Sequence, residues 1–118
     1  MPDTSDISVP GLRLHTQRRE DEIVVQCAGV LTAANAALLK THAKALLPQT
    51  KHLVLDFTDL AQMDSSGLGV VVAVYISARN AGKTLELINL SARIREIFSL
   101  TNLLSVFETC GRYGTRLP

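Results

Sequence analysis

The chain has 118 residues, of which 47% are hydrophobic and 19% are charged, a composition typical of one folded domain rather than a disordered segment. Twelve Lys and Arg residues against eleven Asp and Glu residues leave a net charge of +1, which argues against a nucleic-acid groove or a polybasic membrane anchor. Trp is absent and aromatic residues are 4%, which argues against stacking platforms for bases or sugars.

The first half of the chain predicts a tail, two strands and a helix. Residues 1–10 hold two Pro and two Asp with little pattern, so we expect a flexible N-terminal tail before a single domain over residues 11–118. Apolar and polar residues alternate over 12–17, and an apolar run follows over 23–28, which together predict an antiparallel hairpin. Thr32 is the expected N-cap of the helix that comes next.

Helix stop signals and a short apolar run organise the middle of the chain. The Ala-rich first helix should end near Leu47, because Pro48 cannot continue it. Residues 53–57 form a short apolar run, typical of a parallel strand covered on both faces. A second helix is predicted over 64–79, with Gly82 in the left-handed position after its end.

The last part of the chain predicts a strand over 84–88, a third helix capped by Ser91, and a short edge strand over 104–108. The predicted order is therefore β-β-α-β-α-β-α-β. Strands that alternate with helices indicate an α/β fold, with a mixed sheet and helices packed against it.

The most informative segment is Met63–Val70, which follows the apolar strand and opens the second helix. Asp64 can cap the exposed N–H groups at the helix start. Gly67 and Gly69 lie in the first turns, where each costs about 1 kcal/mol relative to Ala. Such a sequence indicates either close backbone packing or a small surface that a partner contacts.

Helical phase separates the two serines of this segment. The apolar stripe expected to face the sheet consists of Leu68, Val71, Val72, Tyr75 and Ile76. Ser65 shares that phase, so we expect it to point toward the core. Ser66 lies on another face, which is small, uncharged and suited to a partner, with Gly69, Val70, Ala73 and Ser77.

A phosphate on Ser66 would sit at a helix N-terminus, where free N–H groups and the positive end of the dipole tolerate anions. It would also place about −2 charge in an apolar contact face. Phosphorylation there is expected to block binding without unfolding the domain.

These residues resemble the STAS domain family, which contains anti-sigma factor antagonists and the cytoplasmic domains of sulfate transporters. The hexapeptide over 64–69 is similar to the phosphorylation motif of that family, and 53–60 is similar to the strand and loop before it. The stretches 82–83 and 91–98 also fit. The resemblance extends over about residues 12–108.

The resemblance implies an antagonist in a bacterial partner switch. Unphosphorylated, it would bind an anti-sigma factor serine kinase; phosphorylation of Ser66 would release it, and a serine phosphatase would reset it. The alternative is a non-phosphorylated STAS subunit or scaffold that binds the ATPase of a lipid-transport ABC complex through the same helix. The expected partner-binding residues are Thr32, Ala33, Asn35, Asp64, Ser65, Ser66, Gly67, Gly69, Val70 and Ala73.

One residue departs from the family pattern. The loop after the second strand usually reads Gly-x-Leu/Ile-Asp, whereas residues 29–32 of this chain read Gly-Val-Leu-Thr. Thr32 can still cap a helix, but it supplies no carboxylate. If the family's aspartate contacts the kinase, the partner or its affinity differs here.

Other chemistries are weaker interpretations. Residues 81–84 end like a Walker A loop, but they lack its first glycine and lie between a helix and a strand. Three carboxylates, Asp56, Asp59 and Asp64, suggest a Mg²⁺ site without the acidic pair that such a site needs. The histidines, His15, His42 and His52, have neither a nucleophile elbow nor metal spacing around them. We therefore expect no enzymatic activity, no cofactor and no metal.

The cellular location of the protein and the redox state of its cysteines are inferred from features that the sequence lacks. No apolar run approaches the ~20 residues that a membrane-spanning helix needs, and the first ten residues do not resemble a signal peptide. A cytoplasmic protein is expected. Cys27 and Cys110 match no metal or redox spacing and are expected to be buried thiols in a reducing compartment.

Overall fold

A computed structural model describes residues 3–100 and the backbone of residues 115–116, and within them six strands form one sheet. The strands are β1 (Thr4–Val9), β2 (Leu12–Arg18), β3 (Ile23–Leu31), β4 (His52–Met63), β5 (Thr84–Ile88) and β6 (Thr115–Arg116). The helices are α1 (Ala36–Leu46), α2 (Ser65–Asn80) and α3 (Ala92–Leu100). The predicted α/β class with a mixed sheet is confirmed.

The strands lie in the sheet in the same order as in the chain. Strands β1, β2 and β3 are antiparallel neighbours, joined by short turns, whereas β3, β4, β5 and β6 are parallel neighbours. Helix α1 connects β3 to β4 and α2 connects β4 to β5, because parallel neighbours need a crossover. The loop after β3 and the start of α2 therefore meet at one end of the sheet.

The N-terminus differs from the flexible tail expected over residues 1–10. Thr4–Val9 pairs along its whole length with β2, and Pro10–Gly11 is the two-residue turn between them. Gly11 has a φ of 85°, which favours glycine at such a turn. All six residues of β1 are exposed, so the strand lacks the buried alternation from which a strand is normally predicted.

Helix α1 begins later than predicted. It starts at Ala36, and residues 32–35 form turns in which the N–H groups of Asn35 and Ala36 donate to the carbonyl of Thr32, at 3.1 and 2.8 Å. The expectation that Thr32 is the N-cap is therefore wrong. Asn35 occupies the N-cap position instead. Its side chain caps no helix N–H, because its amide group is hydrogen-bonded to Thr32 and Val30, which precede it.

The predicted helix ends are confirmed. Helix α1 stops at Leu46, and Pro48 lies in the short 3-10 turn that follows. Gly82 takes a φ of 72° after α2, and the N–H of Lys83 donates to the carbonyl of Ala78 at 2.8 Å, as in a Schellman motif. Ser91 caps α3 by accepting a hydrogen bond from the N–H of Ile94 at 3.2 Å.

Strand β5 has its predicted bounds, and the strand predicted over 104–108 lies outside the described residues. The core lies between the sheet and the helices, and its largest buried side chains include Leu14, Leu55, Phe57 and Phe98. Cys27 is buried there as expected, and its burial, with the nearby charge of Asp56 as a second cause, raises the pKa of its thiol. Cys110 lies outside the described residues.

Helix α2 packs in a different phase from the predicted one. Its buried residues are Gly67, Val71, Val74 and Ala78, so of the predicted stripe only Val71 is buried. Ile76, expected to face the sheet, is 51% exposed. Helix α2 carries no charge before Arg79, so hydrophobicity alone could not determine its phase. The small residues Gly67 and Ala78 mark the side that approaches the rest of the protein.

Candidate functional site

One carboxylate joins the two segments predicted to form the site. Oδ1 of Asp64 accepts hydrogen bonds from the N–H groups of Ser66 and Gly67, at 2.9 and 3.1 Å. Its Oδ2 accepts from the N–H of Ala33 at 3.1 Å, and the N–H of Asp64 donates to the carbonyl of Leu31 at 3.1 Å. The predicted cap is confirmed, and it also ties the loop after β3 to the start of α2.

These hydrogen bonds set the charge state of the site. The bond from the N–H of Gly67 contributes most to lowering the pKa of Asp64, and the bonds from Ala33 and Ser66 add to it, against a smaller opposing effect of desolvation. Asp64 is therefore ionised at neutral pH. It lies beside Ser66 and already occupies two of the N–H groups that were expected to receive a phosphate.

The two glycines of the motif have different roles. A Cβ on Gly67 would lie 2.6 Å from the carbonyl oxygen of Leu31 and 2.9 Å from the side chains of Leu31 and Met63. A Cβ on Gly69 would have nothing within 4 Å. Close packing therefore accounts for Gly67, whereas Gly69 leaves an open surface. Because Gly67 is buried, it offers no direct contact to a partner, contrary to its predicted role.

Both serines of the motif are exposed. The predicted exposure of Ser66 is confirmed, whereas the expectation that Ser65 points toward the core is wrong. Its source is the error in helix phase, since Ser65 lies on the side opposite the buried stripe. Exposure therefore does not choose between the two hydroxyls, and the choice of Ser66 depends on the family motif.

The outer side of α2 is an uncharged surface of small and aliphatic side chains. Ser66 and Gly69 are exposed on it, and Val70 and Ala73 are half-buried. Ile76 extends it toward the end of the helix. We call the surface formed by Ser65, Ser66, Gly69, Val70, Val72, Ala73 and Ile76 the α2 face.

The loop beside the α2 face is held by Asn35, whose role was predicted wrongly. Asn35 is 5% exposed, so it does not offer its side chain to a partner. Its Oδ1 accepts from the N–H of Thr32 at 3.0 Å, and its Nδ2 donates to the carbonyls of Val30 and Pro10 at 3.1 and 3.3 Å. Asn35 therefore positions the loop. An Asn just before an Ala-rich helix is the only sequence signal for it, and that signal suggests a cap instead.

The remaining loop residues lie where a partner can contact them. Ala33 is exposed and Thr32 is half-buried. The hydroxyl of Thr32 accepts a hydrogen bond from the N–H of Ala34 at 3.4 Å. Together with the α2 face and Asp64, these residues form one surface.

The carboxylates do not converge on a cation. Oδ1 of Asp56 accepts from the N–H of Thr58 at 2.9 Å, from its hydroxyl at 2.6 Å, and from Nδ2 of Asn89 at 3.1 Å. Within residues 3–100, no group of three or more His, Cys, Asp and Glu side chains is placed to hold a metal ion. Asp56 thus ties the middle of β4 to Asn89, which follows β5.

The histidines are engaged away from the α2 face. Nε2 of His52 contacts Oε1 of Glu86 at 2.7 Å, inside the protein. Nε2 of His42 contacts the hydroxyl of Thr16 at 2.7 Å, and burial, with the nearby charge of Arg18 as a second cause, lowers the pKa of His42. His15 pairs with Asp6.

No helix in the described part of the chain combines the length and apolar character needed to cross a membrane.

Comparisons with known proteins give a family and several named relatives. A family model described as "Mlab, STAS domain" matches residues 14–107. The anti-sigma-B factor antagonist of Bacillus subtilis is 30% identical over 97 residues, which are 82% of this chain and 89% of that protein. The anti-sigma-B factor antagonist of Listeria monocytogenes is 34% identical over 95 residues, 78% of this chain and 82% of that protein.

Solved structures show the same fold. An anti-sigma factor antagonist from Mycobacterium paratuberculosis superimposes with a TM-score of 0.75 at 18% identity, over 92% of this chain and 89% of that one. Unphosphorylated SpoIIAA, an anti-sigma factor antagonist, gives a TM-score of 0.68 at 17% identity, over 98% of this chain and 87% of that one.

Proposed function

The chain belongs to the STAS domain family, and from this premise we propose that it is an anti-sigma factor antagonist controlled by phosphorylation of Ser66. The observation that carries the proposal is an exposed Ser66 on an uncharged helix start, tied by Asp64 to the exposed loop after β3. Relatives named as anti-sigma-B factor antagonists, which align over 78 to 82% of this chain, support it.

Unphosphorylated, the α2 face and the loop at Thr32 and Ala33 dock on an anti-sigma factor serine kinase, which then releases its sigma factor. The α2 face suits such docking because none of its own side chains is charged, and Asp64, between this face and the loop, is the charged group that a partner has to desolvate. The switch operates in the cytoplasm, and the protein itself is not an enzyme. It supplies a hydroxyl, and the kinase supplies the catalytic groups.

Phosphorylation breaks this contact by charge. Oγ of Ser66 attacks the γ-phosphorus of ATP held by the kinase, ADP leaves, and the hydroxyl proton passes to a base of the kinase. The new group carries about −2 charge. It stands beside ionised Asp64, and two nearby N–H groups already donate to that carboxylate. A docked partner would have to desolvate a phosphate and a carboxylate together, so the complex dissociates. A serine phosphatase restores the hydroxyl.

A second candidate function is a non-phosphorylated STAS subunit that binds the ATPase of a lipid-transport ABC complex. Thr32 is the observation that favours it, because the loop beside the α2 face lacks the family's usual carboxylate. The same α2 face would form that contact.

Incubation with the candidate serine kinase and ATP, followed by mass mapping of the phosphate, tests the proposal. One phosphate on Ser66 is expected, absent in Ser66→Ala and retained in Ser65→Ala, which is the matched control because both hydroxyls are exposed. Phosphate on Ser65 would overturn the site. A lack of any phosphate, together with tight binding to a lipid-transport ATPase, would replace the proposal with the second candidate.

A further inference from the structure

Strand β1 is an exposed edge of the sheet. It is the first strand in the sheet order, and all six of its residues are exposed. Its register with β2 runs without a bulge, and Thr4–Val9 contains neither Lys nor Pro. Bulges, Pro and charged side chains, Lys above all, are features by which edge strands normally avoid pairing with another chain, and Asp6 is the charged residue of β1. Among the strands that the structure describes, none lies on the outer side of β1, so this edge is open to a further strand.

The pairing with β2 fixes which backbone groups point outward. The backbone carbonyl of Asp3 accepts a hydrogen bond from the N–H of Arg18 at 2.7 Å. At the other end of the hairpin, the two-residue turn makes Val9 and Leu12 a hydrogen-bonded pair. Odd-numbered residues of β1 thus bond to β2. Since bonding alternates along an antiparallel strand, the N–H and C=O groups of Thr4, Asp6 and Ser8 point away from the sheet.

The side chains of β1 extend the apolar side of the sheet. Ile7 pairs with buried Leu14 and Val9 pairs with buried Leu12, so both lie on the side of the core. Ile7 is 36% exposed and Val9 is 37% exposed. A further strand would cover this apolar surface as well as the outward backbone groups.

We propose that β1 pairs antiparallel with β1 of a second copy of this chain, which joins the two sheets across a two-fold axis. Charge selects the register. Opposing Asp6 to itself would place like charges face to face, which destabilises a strand pair. Shifting the pair by one residue in each copy places Ile7 against Ile7 and Asp6 against Ser8. In this register Asp6 and Ser8 exchange backbone hydrogen bonds across the axis.

The same register brings opposite charges together. Arg13 is exposed on β2 directly opposite Ser8, and Ser8 faces Asp6 of the second copy. Arg13 and that Asp6 are then two strand spacings apart, about 10 Å, a distance that an arginine and an aspartate side chain span together. The two-fold axis repeats this pair. Within each copy Asp6 also pairs with His15, which lies opposite it on β2, so Arg13 of the second copy approaches a carboxylate that already has one partner. With that pair included, the surface is complementary to itself in charge and in apolar contact.

The dimer does not depend on the proposed function. Strand β1 is separated from β4, which leads into the α2 face, by β2 and β3. The six-residue edge is smaller than a standard stable interface, so the dimer is expected to be weak and to depend on concentration.

Sedimentation velocity of the full chain from micromolar to millimolar concentration tests the proposal. A shift from monomer to dimer is expected. Ser8→Pro should abolish it, because proline removes an outward N–H and leaves the bonds to β2 intact. Ser8→Ala is the matched control and should dimerise like the wild type. A monomer at millimolar concentration, or a Ser8→Pro variant that dimerises normally, would overturn the proposal.

Hydrogen exchange of the backbone amides in the wild-type chain gives a second, independent measurement. The N–H groups of Asp6 and Ser8 should exchange more slowly at millimolar than at micromolar concentration, while that of Ile7 stays protected at both. Equal exchange of Asp6 and Ser8 at the two concentrations would contradict pairing through β1. Unchanged exchange at Ile7 in Ser8→Pro would show that the variant keeps its hairpin.

Discussion

Asp64 links Ser66, the proposed switch residue, to the loop after β3, because its two carboxylate oxygens accept hydrogen bonds from different backbone segments. Oδ1 holds the first turn of α2, and Oδ2 holds the N–H of Ala33. This explains how a fully exposed aspartate can fix two backbone segments at once. In the proposed switch its charge contributes, since a phosphate on Ser66 would add to a negative charge that is already present.

Asp64→Asn should reduce stability at neutral pH and lose that effect in acid. The folded protein holds the pKa of Asp64 below its ordinary value of 3.8, so the carboxylate contributes stability above that value. The contribution disappears as pH falls through the lowered pKa. Thermal unfolding of the wild type and the variant should therefore converge in acid, after a constant difference between neutral pH and about pH 5. A constant difference over the whole range would contradict this assignment.

Ser66→Asp should leave the fold intact. Ser66 is exposed in the first turn of α2, where an acidic side chain is compatible with the helix dipole. An exposed substitution of this kind changes the free energy of unfolding by within about 0.5 kcal/mol, or about 2–4 °C in melting temperature. Ser65→Asp is the control. Calorimetry that finds Ser66→Asp far less stable would show that Ser66 is needed for packing.

At the residue scale, the sequence was enough to predict the Asp64 cap and the exposure of Ser66. The cap depends on a local rule, the acceptor before a helix, whereas the exposure of Ser66 was predicted from a helical phase that the structure corrects, and Ser66 is exposed in both phases. The exposure of Ser65 could not be predicted, because it depends on which side of an uncharged helix meets the sheet. The position of Asn35 was missed because its amide bonds backward, to the carbonyls of Val30 and of the distant Pro10, rather than to the helix that follows it.

The start of α2 contains a tightly packed glycine, Gly67, and a glycine with open space around it, Gly69. Substitution of each by alanine distinguishes the two environments. Gly67→Ala would place its Cβ 2.6 Å from the carbonyl oxygen of Leu31, so we expect a loss of about 1–3 kcal/mol. Gly69→Ala meets no atom within 4 Å and should gain up to about 1 kcal/mol from helix propensity. Chemical denaturation measures both. Equal effects at the two positions would contradict the packing described for α2.

The loop between β3 and α1 depends on Asn35. Asn35→Ala removes three side-chain hydrogen bonds and leaves the buried partners of that amide unpaired, so we expect a loss of about 1–3 kcal/mol. Thr32→Ala, in the same loop but half-exposed, should change stability by about 0.5 kcal/mol or less. Chemical denaturation of the two variants is the measurement. A stable Asn35→Ala variant would show that the loop is held by its backbone alone.

At the element scale, punctuation residues predicted the helix boundaries well, whereas periodicity predicted the antiparallel hairpin of β2 and β3 but neither β1 nor the phase of α2. Pro48, Gly82 and Ser91 marked the ends and the start of helices correctly, because each acts through its own backbone geometry. Strand β1 was missed because all six of its residues are exposed, so its sequence carries no buried alternation. The phase of α2 was missed because the helix is apolar on nearly every side.

Across the whole molecule, the switch surface and the core are separate. Strands β3 and β4 end at the loop and at α2, so the sheet places two segments distant in sequence side by side, joined by Asp64. The buried stripe of α2 faces away from Ser65 and Ser66. A charge added at Ser66 is therefore expected to act on a partner and to leave the core unchanged, which is the physical basis of the proposed switch by blockade.

Isothermal titration of the serine kinase with the unphosphorylated protein and with the protein fully phosphorylated on Ser66 tests this account most directly. Affinity should fall by at least about 100-fold on phosphorylation, since each tenfold corresponds to about 1.4 kcal/mol and the phosphate stands in the contact surface. The melting temperature of the phosphorylated protein should change little. Equal affinity of the two forms would contradict blockade, and a phosphorylated form that has unfolded would show that the switch acts through the fold.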